Sequence, residues 1–130
     1  MIALDTNVIV RAFTQDEPVQ ARKAATVLRS DALHVSKTVL VEVEWVLRKA
    51  YGFPAGRIND ALVRFVGLKG LSVEDRPAVV TALDWHARGL DFADALHLAS
   101  SAAASAFATF DSALARRALK VQAHPPVRRL

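Results

Sequence analysis

The stretch at residues 90–111, LDFADALHLASSAAASAFATFD, decides how the chain is read. It divides into a helix-forming run, residues 91–104, and a short apolar run, residues 106–110, that stops on Asp111. At about 100° per residue, Phe92, Ala95, Leu96, Ala99 and Ala103 fall on one broad apolar face that must pack on something. Asp91 and Asp94 are three apart and lie together along one flank of that face. The run AFATF is aromatic and uncharged until its end, the pattern of a short buried strand. A strand that closes on Asp sets a carboxylate at the carboxyl edge of a sheet. In open α/β sheets that edge is where ligands bind.

The start of the chain repeats this grammar. Residues 1–4 form an apolar run that ends on Asp5, so two Asp-closing strands are expected side by side in a parallel sheet. Thr6 and Asn7 follow as caps of a helix to about residue 13, and ordinary capping is the competing account of Asp5, Thr6 and Asn7. A loop at 16–18 feeds a helix over 19–30, with Pro18 at the tolerated first position. Residues 33–36 read as a strand and 37–50 as a strongly amphipathic helix. On its wheel Glu42 lies beside Val39, Val43 and Val46 at the edge of the buried stripe. Glu44 falls on the other side, with Arg48 at i+4 as a solvated pair. A carboxylate beside an apolar stripe costs energy unless something pairs it, so Glu42 is the functional candidate. A structural pair with Lys49 is its competing account.

Further along, residues 55–66 form another amphipathic helix, 67–70 a turn and 71–74 a strand. Asp75 caps a helix to about residue 88, and Gly89 suits the position after its end. Beyond the opening stretch, residues 111–118 are expected as helix, 119–123 as an edge strand and 124–130 as a loose Pro- and Arg-rich tail. Strands alternate with helices throughout. The expectation is one domain over 1–123, a three-layer α/β/α fold with a mostly parallel central sheet, followed by the tail.

The totals agree with that frame. The 130 residues suit one domain with a real core. Apolar residues at 52% and charged ones at 23% describe a globular chain, not a disordered one. No apolar run approaches the roughly 18 to 20 residues that span a bilayer, so no membrane association is expected. MIALDTN lacks the basic and apolar regions of a signal peptide. With no cysteine there are no disulfides and no thiolate metal sites, which fits a cytoplasmic protein. Seventeen basic residues against 13 acidic ones give +4, a balance that favours a polyanionic partner. If several of the acids gather in one place, the surrounding surface is more basic still.

Asp5 and Asp111 at strand ends, Glu42 on a helix edge and Asp94 on a helix flank are the acids that a doubly wound sheet can gather. Clustered carboxylates repel, and one takes up a proton unless cations intervene. Oxygen donors without His or Cys suit Mg²⁺ or Mn²⁺. Such an ion activates water and stabilises in-line attack on a phosphodiester. No competing machinery is present: the chain has no Cys, no GxSxG and no P-loop.

LDTN at residues 4–7, VLVEVEWVLR at 39–48 around Glu42, DFADALHLA at 91–99 and ATFD at 108–111 carry a resemblance. In order and spacing the chain resembles a PIN domain, and within that family a VapC-type toxin. The resemblance implies a Rossmann-like α/β/α fold whose acidic quartet holds one or two Mg²⁺ or Mn²⁺ ions and hydrolyses RNA. Carried over by position, the quartet is Asp5, Glu42, Asp94 and Asp111. Thr6 and Asn7 would support the first acid by hydrogen bonds, and Thr109 would line the site. Asp91 lies outside the quartet, as a helix N-terminal acid or an outer group. The resemblance also implies a homodimer and a cognate antitoxin protein made from the same operon.

Arg11, Arg116 and Arg117 are candidate RNA phosphate contacts, with a solvated face as the competing account. Trp45 and Trp85 read as core or half-buried more readily than as interface anchors. His97 points toward solvent, and His34, His86 and His124 belong to no constellation. Against the endoribonuclease toxin stand two alternatives. One is a non-catalytic PIN-like module that binds RNA or protein, and the other a PIN ribonuclease of RNA processing without an antitoxin.

Overall fold

The computed structural model describes residues 1–30 and 32–130. It forms two compact units, Met1–Glu74 and Asp75–Leu130. The fold class read from the sequence holds: a helix-rich α/β chain whose paired strands are all parallel.

The first unit runs β1 (Ile2–Ala3), α1 (Thr6–Thr14), α2 (Pro18–Leu28), β2 (Leu33–Val35), α3 (Lys37–Lys49), α4 (Ala55–Val66) and β3 (Leu71–Val73). Its sheet has the order β1-β2-β3. Leu33 is in register with Ile2 on one side and Leu71 on the other. Helical crossovers are what let consecutive strands run parallel. Each crossover starts from a cap. Asp5 accepts a hydrogen bond from the Thr6 N–H at 2.8 Å, and Ser36 accepts one from the Val39 N–H at 3.3 Å. Glu17 caps α2, whose first residue is Pro18. Leu4, Ile9, Val10, Leu33, Val35 and Leu40 are buried in the core, with Ile58 and Leu62 from α4.

The second unit runs α5 (Arg76–Ala87), α6 (Phe92–Ala99), β4 (Phe107–Thr109), α7 (Ser112–Lys120) and β5 (Val127–Arg129). α5 packs on α6, and Val79, Ala82 and Leu83 of the first and Phe92, Ala95 and Leu96 of the second are all buried. Gly89 takes φ +110° after α5, a conformation that suits glycine, and lets the Leu90 N–H return to the Trp85 carbonyl at 3.1 Å. Trp85 and His86 are buried here, the latter edge-on to Phe92 at 5.5 Å, whereas Trp45 in the first unit is exposed.

Several expectations are corrected. Among the described residues the expected pairing of the two Asp-closing strands is not found: β1 pairs with β2, and β4 pairs with β5. Nor are they buried, since both residues of β1 are exposed and Phe110 is 82% exposed. In each case the burial falls on a neighbour, on Leu4 after β1 and on Leu114 of α7 after β4. α6 ends at Ala99, not near 104. The Ser101 hydroxyl donates to the His97 carbonyl at 2.8 Å, and the Ser101 N–H turns to the Leu98 carbonyl at 3.0 Å. Serines that bond their own backbone in this way favour turns over helix. Asp75 makes no side-chain cap bond and instead takes a left-handed conformation at φ 48°.

The C-terminal expectations fail together. Residues 119–120 belong to α7, and the strand lies in the supposed loose tail, at Val127–Arg129. Its register is fixed at both ends. The Phe107 N–H donates to the Pro126 carbonyl at 2.9 Å, and the Leu130 N–H donates to the Thr109 carbonyl at 2.8 Å.

Candidate functional site

In the first unit a hollow of about 350 Å³ is lined by Asp5, Thr6, Asn7, Arg11, Glu42 and Tyr51, with Val10, Val46 and Ala50 as its apolar walls. Asp5 is delivered by the chain leaving β1, where the Leu4 N–H is held by the His34 carbonyl at 2.9 Å. Glu42 is delivered by α3. Val46 and Ala50, one and two turns further on, continue the same wall. The two acids that the sequence singled out in this unit therefore face one open space. Asp5 still caps α1, so capping and site lining coexist in one residue.

Thr6 supports Asp5 through its backbone N–H. Its hydroxyl is buried and has no hydrogen-bond partner among the described residues. Asn7 lines this hollow and a neighbouring one.

The contrast drawn between the two glutamates of α3 needs correction. Glu42 is exposed, into the hollow, while Glu44 is only 3% exposed. The buried stripe runs Leu40, Val43, Glu44, Leu47, rotated away from the Val39–Val43–Val46 line that the wheel favoured. Glu44 keeps its expected partner. Arg48 donates from Nε to Oε2 at 2.8 Å and from Nη2 to Oε1 at 3.4 Å, a fork that compensates a buried carboxylate. The pair is real, but it is a core pair and not a solvated one.

In the second unit Asp94 lies in the first turn of α6, half-buried. Asp91 caps that helix, accepting from the Asp94 N–H at 3.0 Å, as a helix N-terminal acid does. Burial pushes the Asp94 carboxyl above its usual range, and the charges of Asp91 and Asp111 push it further. His97 and Arg117 pull the other way. Asp94, Asp111 and Arg117 are thus close enough to feel one another. Asp111 caps α7, accepting from the N–H groups of Ala113 and Leu114 at 2.9 and 3.0 Å. The Thr109 hydroxyl accepts from the Asp111 N–H at 3.0 Å, which fixes the turn that aims this acid. Arg116 is exposed on the same helix.

Two residues beside the hollow escaped the sequence. Tyr51 read only as part of a helix break and Asp16 only as loop. Yet Tyr51 lines the acidic hollow and donates to Asp16 at 2.7 Å. Their separation of 35 residues leaves no local signal.

The donor chemistry suits a hard divalent cation. The acids offer oxygen only, Asp5 and Glu42 share a hollow beside a buried unpartnered hydroxyl, and Asp94 sits in a field of like charge that a cation relieves. Among the described residues no group of three or more His, Cys, Asp or Glu is arranged to hold a metal ion. No helix among them is long and apolar enough to cross a membrane.

Residues 2–120 match the PIN domain family. No curated protein and no solved structure matched the chain.

Proposed function

The chain belongs to the PIN domain family, whose members are generally nucleases that typically bind divalent metals such as Mg²⁺, and from that premise we propose that it is a metal-dependent endoribonuclease. Asp5, Glu42, Asp94 and Asp111 are its working acids, holding one or two Mg²⁺ or Mn²⁺ ions. The observation that carries this reading is the shared hollow of Asp5 and Glu42, two family-motif acids brought together by a strand end and a helix far apart in sequence. The raised carboxyl of Asp94 beside Asp111 supports the second pair.

When bound, the cation supplies Lewis acidity toward water and the phosphate. The chain's own residues do the rest. Asp5 and Glu42 face the reacting phosphate's space, and the Thr6 N–H fixes Asp5 in orientation. Asp94 carries its charge most stably with a cation present. Thr109 and the α7 backbone hold Asp111. Arg116 and Arg117 meet the RNA backbone.

The finer reading is the toxin of a type II toxin–antitoxin pair: a cytoplasmic homodimer neutralised by a cognate antitoxin. LDTN, VLVEVEWVLR, DFADALHLA and ATFD support it by resemblance to VapC-type toxins. The family match runs through both compact units, which supports reading residues 1–123 as one PIN domain.

The test is RNA cleavage by the purified chain with Mg²⁺ or Mn²⁺ and with EDTA, beside Asp94→Asn. Metal-dependent cleavage that drops by at least about 10²-fold in a folded Asp94→Asn protein is expected, the scale of losing a group that acts only in the transition state. Undiminished cleavage in the mutant would remove Asp94 from the site. A folded wild-type chain that cuts no RNA and gains no thermal stability from metal would leave a binding module. A small gene product encoded upstream that suppresses cleavage would establish the toxin reading over an RNA-processing nuclease.

A further inference from the structure

Beside the acidic hollow lies a second one, about 240 Å³, bounded by α1 and α2. Its polar lining is Asn7, Arg11, Gln20 and Lys23, over an apolar floor that includes Val8 and Val27. Asn7 and Arg11 line both hollows, so Arg11 stands on the wall that the two share.

The guanidinium is fixed from three directions. Nε donates to Gln20 Oε1 at 2.8 Å, and Nη1 donates to the Tyr51 hydroxyl at 3.0 Å. Nη1 also meets Asp16 Oδ1 at 3.5 Å, the outer limit of a pair. Asp16 is already engaged by shorter bonds, from the Tyr51 hydroxyl at 2.7 Å and the Thr14 hydroxyl at 2.8 Å. The positive charge of Arg11 is therefore steered by Asp16 and only weakly neutralised by it. Nη2 makes no hydrogen bond among the described residues.

A surface ion pair alone is worth little. This one immobilises a long side chain through residues from α2, the loop between α1 and α2 and the segment after α3, and still leaves an N–H edge unused. A planar fork held with one edge open suits a phosphate. Lys23 adds a second cation to the same hollow.

We propose that Arg11 binds the phosphate next to the scissile one and seats its nucleotide in the Asn7–Gln20–Lys23 hollow, with Tyr51, Asp16 and Gln20 as its positioning residues. This rests on the nuclease reading for its substrate, single-stranded RNA. The strand would pass from the Asp5–Glu42 hollow over the shared wall, which makes Arg11 a binding residue and not a member of the metal machinery.

The experiment measures binding of a short fluorescein-labelled single-stranded RNA to the full chain over a series of salt concentrations, and steady-state cleavage alongside. Losing one charged phosphate contact, Arg11→Ala should weaken binding roughly tenfold or more. It should also flatten the plot of log affinity against log salt by about 0.7, the counterion share of one contact on a single strand. In cleavage the loss should fall on KM more than on kcat. Arg88→Ala removes a more exposed charge, just after the end of α5, and should leave the salt slope unchanged. Arg11→Lys should keep the slope and lose part of the affinity. Tyr51→Phe should weaken binding in the wild-type background and add nothing in Arg11→Ala, which a merely structural role would not produce.

Wild-type affinity and slope in Arg11→Ala would overturn the inference, as would a wild-type chain that binds no RNA. A chain that binds RNA but cuts none loses the nuclease reading, and the salt slope still decides the subsite. If Arg11→Ala fails to fold, the slope of Arg11→Gln, expected to flatten by the same amount, and the effect of Tyr51→Phe on KM decide it.

Discussion

Glu44 and Arg48 differ in burial, and that difference makes their contributions to stability unequal. Glu44 is almost fully enclosed, whereas the Arg48 side chain is 38% exposed. Removing the arginine leaves a carboxylate inside the core without its partner, a loss of about 3 to 5 kcal/mol for buried pairs. Removing the glutamate leaves an arginine that can turn to water, which should cost about 1 to 2 kcal/mol. Urea denaturation should therefore rank Arg48→Ala below Glu44→Ala, and equal losses would mean that Glu44 is solvated after all. Activity per folded molecule should survive in both, since neither residue lines the acidic hollow. Asp16 gives a second test at this scale. The Tyr51 hydroxyl holds its carboxyl below the usual range, helped by Thr14 and the charge of Arg11, while burial opposes them. A carboxyl depressed on folding contributes stability above its unfolded value of about 3.9 and loses it as pH falls through the folded value. Asp16→Asn should thus lower the melting temperature near neutral pH, and the gap to the parent should close as pH falls through the folded value of this carboxyl. A gap unchanged at low pH would mean that charge plays no part. That Glu42 would stand with Asp5 was legible in the sequence, and the two line one hollow. The rotation of the α3 stripe was not, because valines on both sides of the helix give a wheel two equally apolar centres.

Among the elements, those with matching local signals were read within a residue or two. α4 is the clearest: Pro54 precedes it, Ile58, Leu62 and Phe65 repeat at helical spacing, and Gly67 ends it. Elements that depend on partners were misread. In α6 the alanines beyond Ser101 favour helix, but the serine bonds to its own backbone prevail. β5 carries Val127 between prolines and arginines, a composition that reads as coil, and exists because β4 offers it an unpaired edge. This makes a sharp prediction. A chain ending at Ala123 loses every hydrogen bond that β5 gives β4, together with the buried Pro125. It should melt several degrees lower, since each kcal/mol is worth roughly 4 °C in a domain of this size. A loose tail would leave the melting temperature where it was. The exposed flank of β4 should also make the shortened chain more prone to aggregate, which light scattering would report.

For the molecule as a whole, the α/β class and its parallel strands were legible because strands and helices alternate along the entire chain. The division into two compact units was not, since it depends on which long-range contacts form, and composition does not change at Glu74. The charge balance carries a molecular consequence. Within a net +4, Asp94 still stands beside the like charges of Asp91 and Asp111, an arrangement that a bound divalent cation would relieve. Binding to the folded state alone stabilises by RT ln(1 + [L]/Kd), about 2.7 kcal/mol at a hundredfold excess over Kd. Mg²⁺ or Mn²⁺ should therefore raise the melting temperature by several degrees, and EDTA should restore the lower value. The shift should shrink in Asp5→Asn and in Asp94→Asn, one substitution in each compact unit, and persist in Glu44→Gln. Loss of the shift in only one of the first two would confine the metal to that unit's acids. A shift untouched by both would place the cation elsewhere on the protein and remove the four acids from the reaction.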